Sequence, residues 1–417
     1  MDSVNPLMGR MFLVLAVAAP ASGAADTFVV SPDGTGDFPT IQAAIDGAQN
    51  GDVIELAAGT FTGDGNRDVD YSGKAVAIRS QSGNAEECVI DCEGADGDPH
   101  QGFLFVSGEG PGSILESVTV TGGHASGPTP SDLGGAVACL DSSSPTIRDC
   151  RFLNNAATFG GAVACKNSAS PLISGCVFTG NSADRGGAVF CQFSSSPDIL
   201  QCSFSANSAD RGGALYCQFT SSPAVSDCAF SESTATGDGG AVHCSSDCSP
   251  SISGCTFWKN SCAAAGGGIY LSASSLSVER SSFSSNSAAA GAGGIACNVS
   301  SSVTAERCII ASSLSGAAVV CSGGSEAALV CCDLFGNEGG DWVGSIAGQD
   351  GTAGNISLDP VFCDEVNGDL TIAGESPCAP FSAPNEECAL IGAGAIACGN
   401  PPATVSMTWG RIKSRVR

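Results

Sequence analysis

Apolar and polar positions alternate in short runs along most of this chain, and the same run returns at a nearly fixed distance. "NSADRGGAVFCQF" begins at Asn181 and "NSADRGGALYCQF" begins 26 residues later at Asn207. Each unit orders Gly-Gly-Ala-aliphatic-x-Cys, a Ser-rich bend ending in Ser-Pro, an aliphatic-x-x-Cys-x-Phe run, and Asn-Ser-Ala. Alternation with a period of two predicts strands with one buried face, and the Gly, Pro, Asn and Ser clusters predict corners. No helical period runs through the repeat, and the unit is too short for a propeller blade of about 40 residues. What remains is a coil stacked on identical coils: an all-β, single-stranded right-handed parallel β-helix, a solenoid of about 26 residues per coil.

In such a stack each strand hydrogen-bonds to its equivalents about 4.8 Å above and below, so equal residues form columns. Val137, Val163, Val189, Leu215 and Val242 are expected to make an aliphatic column, and Phe152, Phe178, Phe204, Phe230, Phe257 and Phe283 an aromatic one. Asn155, Asn181, Asn207, Asn260 and Asn286 fall at a corner where stacked amides bond to one another, and Ser233 interrupts them. The ends of a stack expose unpaired edges and need covers. "TIQAAIDGAQNGDVIEL" places Ile41, Ala44, Ile45 and Ala48 on one helical face, a short N-terminal capping helix ahead of a first strand at Val53 to Leu56. "NISLDPVFCDEVNGDLTIAGESPCAP" breaks the rhythm and reads as terminating coils. The expected division is a signal peptide (1–24), cap and first strand (25–62), irregular early coils with loops (63–133), regular Cys-rich coils (134–332), terminal coils and C-terminal cap (333–400), and a basic tail (401–417).

Charge narrows the partners. A net charge of −26 excludes nucleic acid and anionic lipid for the body of the chain, since phosphate recognition needs a basic footprint. Arg10, an apolar run over residues 11–19 and small residues near Ala24 form the pattern of a secretory signal, and the run is too short to span a membrane. The expected place is therefore secreted or cell-surface, with no integral membrane segment left after signal removal.

In an exported chain, 23 cysteines read mostly as disulfides. They fall in pairs eleven apart, and one register has lost both members together, to Leu271 and Ser281. That joint loss favours bonds within a coil: Cys139–Cys150, Cys165–Cys176, Cys191–Cys202, Cys217–Cys228, Cys244–Cys255, Cys297–Cys308 and Cys321–Cys332, with Cys331 left odd. The alternative is a ladder of reduced thiols acting as apolar filler.

The phrases Phe-x-x-Asn (Phe152 to Asn155, Phe178 to Asn181, Phe204 to Asn207) and Gly-Gly-Ala-aliphatic (Gly134 to Val137, Gly160 to Val163, Gly186 to Val189) resemble the repeats of polymorphic outer-membrane proteins, over roughly residues 134–332. That resemblance implies a right-handed parallel β-helix displayed on a bacterial surface and used in adhesion. "DGTGDFPTIQAAIDGAQNGDVIELAAGTF" is similar to the opening of pectin esterases and pectate-lyase-like proteins, and "DPVF…NGDLTIAGESPC" to the last coils of bacterial cell-surface β-helix proteins.

Polysaccharide hydrolysis needs two carboxylates about 5 to 10 Å apart, and a lyase needs an Arg or Lys base beside acidic, calcium-bound partners. The outward positions before the second cysteine of each unit build no carboxylate cluster, so no catalytic residue is assigned. Asp184 with Arg185 and Asp210 with Arg211 are expected to form a solvated salt-bridge ladder of alternating charge. Two acidic stretches are candidate ligand sites: Asp64, Asn66, Asp68 and Asp70, then Asp91, Glu93, Asp96 and Asp98. Calcium is the ion their oxygens suit, although neither stretch has the spacing of a defined calcium loop. No zinc set is present, His100 and His124 read as surface residues, and His243 is expected to face water. The expected function is a non-enzymatic exported scaffold for adhesion, display or carbohydrate binding, its partner a polysaccharide or a host or neighbouring-cell surface. The alternative is a polysaccharide lyase or glycoside hydrolase of the pectate-lyase-like type.

Overall fold

The computed structural model describes residues 25–128 and 131–399, so the expected signal peptide and basic tail lie outside the described residues. One coil shows how the chain runs. Val163–Lys166 lies in a third wall, Leu172–Ser174 in a first, Val177–Thr179 in a second, and Ser182–Arg185 re-enters the third before a Gly-Gly corner leads to Val189–Gln192. Repetition of this path builds sheets of 12, 11 and 16 strands. Their pairings are parallel and in register, Val163 against Val189 and Phe178 against Phe204.

The expected columns form. The six phenylalanines from Phe152 to Phe283 stack with ring centroids 4.4–5.0 Å apart. Each ring is buried, which contributes about 1.5–3 kcal/mol apiece before the added stacking attraction. At the next corner Asn181 Nδ2 donates to Asn207 Oδ1 at 3.0 Å and to the Phe152 carbonyl at 2.9 Å, and its own Oδ1 accepts the Asn155 N–H at 3.0 Å. The ladder thereby satisfies turn amides that the core would otherwise leave unpaired. The Gly-Gly corner has two separate causes. Gly186 adopts φ +66°, and a Cβ at Gly187 would collide with backbone atoms of Gly213 and Ser208.

The capping helix is Ile41–Gly47, with Thr40 accepting from the Ala43 N–H at 3.2 Å and Ile41, Ala44, Ile45 and Ala48 fully buried. The stack starts earlier than expected, because Thr27–Val30 pairs with Val53–Leu56 in register. At the far end Phe362–Asp364, Asp369–Ala373 and Ile396–Cys398 form a small mixed sheet instead of a further coil. This sheet is laid back against the second wall: Trp258 Nε1 donates to the Glu365 carbonyl at 2.8 Å, and the Ala393 N–H to Ser282 Oγ at 2.9 Å.

The cysteines overturn the in-coil pairing. None of Cys139–Cys150, Cys165–Cys176, Cys191–Cys202, Cys217–Cys228, Cys244–Cys255, Cys297–Cys308 and Cys321–Cys332 is bonded. Residues eleven apart are separated by a corner and a strand of the first wall, whereas residues one coil apart are vertical neighbours. Cys139, Cys165, Cys191, Cys217 and Cys244 therefore stack as a buried column of thiols, with Leu271 in the next place. A second column follows the other corner, where Cys202 N–H points to Cys228 Sγ at 3.3 Å. The disulfides among the described residues are Cys297–Cys321 between adjacent coils and Cys331–Cys388 and Cys363–Cys398 in the C-terminal cover, so Cys331 is paired.

Candidate functional site

The third wall bends at each Gly-Gly corner, and side chains before and after the bend share a concave outer face. Phe159, from the strand before a corner, stacks on Phe190, from a strand after one, at 5.0 Å. The Arg185 guanidinium lies 5.8 Å from the Phe159 ring and 5.6 Å from that of Tyr216, and donates to Gln218 Oε1 at 3.3 Å. The same sharing explains His243, which does not face water as expected. It is 3% exposed and stacks between Tyr216 at 4.8 Å and Tyr270 at 5.0 Å, and burial pulls its pKa down to about 3.

Arg211 stands in register with Arg185. The expected ladder of alternating charge is thus corrected: identical units stack like over like, one arginine position over the other in the backbone register. The arginines in ion pairs among the described residues are Arg67, Arg79, Arg148, Arg151, Arg280 and Arg307, which leaves Arg185 and Arg211 outside them. Asp184 and Asp210 precede them on the same strands, and Thr236 Oγ1 donates to Asp210 Oδ1 at 2.8 Å. These five residues and Phe159 line a cleft of about 490 Å³. Asp184 also lines an adjoining hollow of about 330 Å³ that reaches His124.

The acidic stretches converge beside that hollow. Asp68 takes His100 Nδ1 at 2.6 Å and the Gln101 N–H at 2.7 Å, Asp98 lies 3.5 Å from His100 Nε2, and Asp96 lies 3.1 Å from His124 Nε2. Arg67 joins Asp64 at 3.4 Å to Glu93 at 3.2 Å. Asn66 is structural: its Oδ1 accepts the Ile41 N–H at 3.0 Å and holds the capping helix. Asp70 and Asp91 each accept a backbone N–H two residues on, from Ser72 at 2.7 Å and Glu93 at 3.0 Å. The carboxylates are thus directed at Arg67, His100, His124 and turn amides. Among the described residues no group of three or more His, Cys, Asp or Glu side chains is placed to hold a metal ion, so the expected calcium site does not assemble from them. Nor is any helix among them long and apolar enough to cross a membrane.

The parallel solenoid is a fold that sequence comparison also finds. The model of the right handed beta helix region family matches residues 59–230 and 187–348, and the chain belongs to that family. Over 104 residues it is 38% identical to pectate lyase PEL9 of Emericella nidulans, a match covering 22% of this chain and about a quarter of that protein. The crystal structure of pectate lyase Pel9A superposes with a TM-score of 0.57 at 11% identity, covering 90% of this chain and 97% of the other, a likeness of fold.

Sequence reasoning singled out Arg185 and Arg211 but read them as a ladder of alternating charge, not as a like-charge pair lining a cleft. The signal for it was present, because two "SADR" stretches 26 residues apart must place equal charges on adjacent coils.

Proposed function

We propose that this chain binds a uronate-containing polysaccharide along the concave third wall and cleaves it by β-elimination, as an extracellular polysaccharide lyase. The observation that carries the reading is the in-register pair Arg185 and Arg211, outside the ion pairs of the described residues and lining the cleft with Asp184 and Asp210. A uronate carboxylate between two guanidinium groups gains charge-assisted hydrogen bonds and relieves their mutual repulsion. Neutralising that carboxylate also makes the neighbouring C5–H more acidic. Elimination then passes the C5 proton to a base in the groove, breaks C4–O as the C4–C5 double bond forms, and the departing oxygen takes its proton from the protonated base or from water. His124 lines the adjoining hollow, Asp96 orients it through Nε2, and its Nδ1 is the nitrogen left to take the C5 proton. The fold likeness to Pel9A and the short match to PEL9 support this class of chemistry over the adhesive scaffold.

The test is incubation of the full chain with polygalacturonate, reading the ultraviolet absorbance of unsaturated uronate together with binding. Absorbance that rises with the wild type and is lost with Arg211→Gln is the expected result. Binding without absorbance removes the elimination step, and neither effect returns the protein to a display scaffold.

A further inference from the structure

The strands that leave the cleft end at an opposite corner carrying two exposed rings. Phe193 and Phe219 are 45% and 43% exposed, lie in register on adjacent coils, and stack at 5.1 Å with their planes 7° apart. Both hold left-handed backbone, φ +55° and +52°. The equivalent places on neighbouring coils carry Asp141, Asn167, Ser246 and Ala273 in the same conformation. Asn and Asp tolerate this region, and a bulky ring does so at a cost. Neither burial nor backbone preference therefore accounts for these two rings.

We infer that the Phe193–Phe219 corner is a second sugar-binding subsite, taking a pyranose ring of an acidic polysaccharide on the open face of Phe219. The stack has two ends. The Lys166 ammonium covers one, 6.0 Å from the Phe193 ring, and Ser246, too short to cover a phenyl face, borders the other. Beyond Ser246 the corner continues as a hollow of about 300 Å³ with Asp247, Ser249, Ser274, Ser275 and Ser300 on its walls, a hydroxyl-rich lining beside an aromatic face. A sugar ring presents C–H bonds on its faces and hydroxyls at its rim, which matches that pairing. Lys166, at the far end of the two-ring stack, adds a cation for the carboxylate of a neighbouring uronate of the same polymer, in a chain whose net charge is −26. A second copy of this chain is the wrong occupant, since two such anions repel and two phenyl rings fall far short of the roughly 800 Å² a stable partner buries.

The identity of the polymer rests on the function proposed above; the subsite itself does not. Strands of four residues, Val189–Gln192 and Leu215–Gln218, carry the backbone about 13 Å from one corner to the other, the reach of a few sugar units, and the Arg185 guanidinium spans part of that length to Gln218. A polymer held at both places gains through effective concentration what a short oligomer cannot.

The test uses the full chain carrying Phe193→Asn and Phe219→Asn together, because Asn167 already holds this conformation one coil away. The expected result is an unchanged or higher thermal midpoint with affinity for long oligogalacturonides and polygalacturonate lowered roughly tenfold. Trimer binding at the arginine cleft should stay at the wild-type level. Lys166→Gln should weaken binding of polygalacturonate and leave that of a neutral galactan unchanged. Wild-type affinity of the double variant for the polymer overturns the subsite, as does a change in sedimentation without a change in sugar binding. If Arg211→Gln alters no binding while the double variant abolishes it, the cleft reading fails and the subsite stands alone.

Discussion

Arg211 lies in register with Arg185 on the neighbouring coil, and among the described residues neither arginine is in an ion pair. A like-charge column costs stability unless something anionic fills it. Arg211→Gln is therefore expected to leave the thermal midpoint unchanged or raise it, while weakening polysaccharide binding about 10- to 100-fold, the scale of one charge-assisted hydrogen bond worth about 1.5–3 kcal/mol. Wild-type affinity should also fall with added salt. Titration calorimetry at two ionic strengths checks both, and a salt-independent affinity would remove the arginines from recognition.

The asparagine ladder makes a stability prediction with a sign at each rung. Asn207→Ala removes the acceptor for Asn181 N–H and Nδ2 and the donor to the Phe178 carbonyl, all buried. Leaving such groups unpaired should cost roughly 2–4 kcal/mol. At the interruption Ser233 Oγ is turned to the Ser231 carbonyl at 3.4 Å. Ser233→Asn should close the ladder and stabilise by about 1 kcal/mol. Urea midpoints that shift in the same direction for both variants would contradict the ladder.

The period, the columns and the capping helix were legible because each depends on residues within one unit and on their recurrence. Phe152 to Phe283 could be read as a stack from spacing alone. Cys139 and Cys150 could not be placed the same way, since their separation depends on how far one corner and one strand carry the chain around the core. His243 failed for a related reason. Alternation set it outward with Tyr216 and Tyr270, correctly, but the bend of the third wall covers that outer face. The C-terminal sheet docks on Trp258, more than a hundred residues away, and no local pattern encodes that contact.

The thiol columns predict chemical silence. Burial pushes the thiols of Cys139, Cys176 and Cys217 well above the ordinary range, hydrogen bonds from neighbouring thiols pull Cys165 and Cys228 below it, and all five side chains are closed off from any reagent in solution. Alkylation of the native chain should therefore be slow at the column cysteines and complete after unfolding. Peptide mapping should recover Cys297–Cys321, Cys331–Cys388 and Cys363–Cys398 as linked pairs. Recovery of Cys139–Cys150 would show that the coils are held differently.

Two buried groups set opposing pH dependences. His243 has its pKa lowered from 6.5 to about 3 chiefly by burial, so the folded state holds fewer protons than the unfolded chain across that window. Its contribution is whole above 6.5 and is lost as pH falls toward 3. Asp333, buried under the C-terminal cover beside Cys378 Sγ at 3.1 Å, is raised from 3.8 to about 7, also chiefly by burial. Its contribution is whole below 3.8 and is lost as pH rises through 7. Between about pH 4 and 6.5 the two slopes, each up to about 1.4 kcal/mol per pH unit, oppose and largely cancel. His243→Phe should therefore expose a stability that falls with rising pH over this window, and Asp333→Asn one that rises. Exposed carboxylates titrate alike in all three proteins and drop out of the comparison. Thermal midpoints measured from pH 4 to 7 decide it, and three parallel curves would mean that neither group is held as the structure places it.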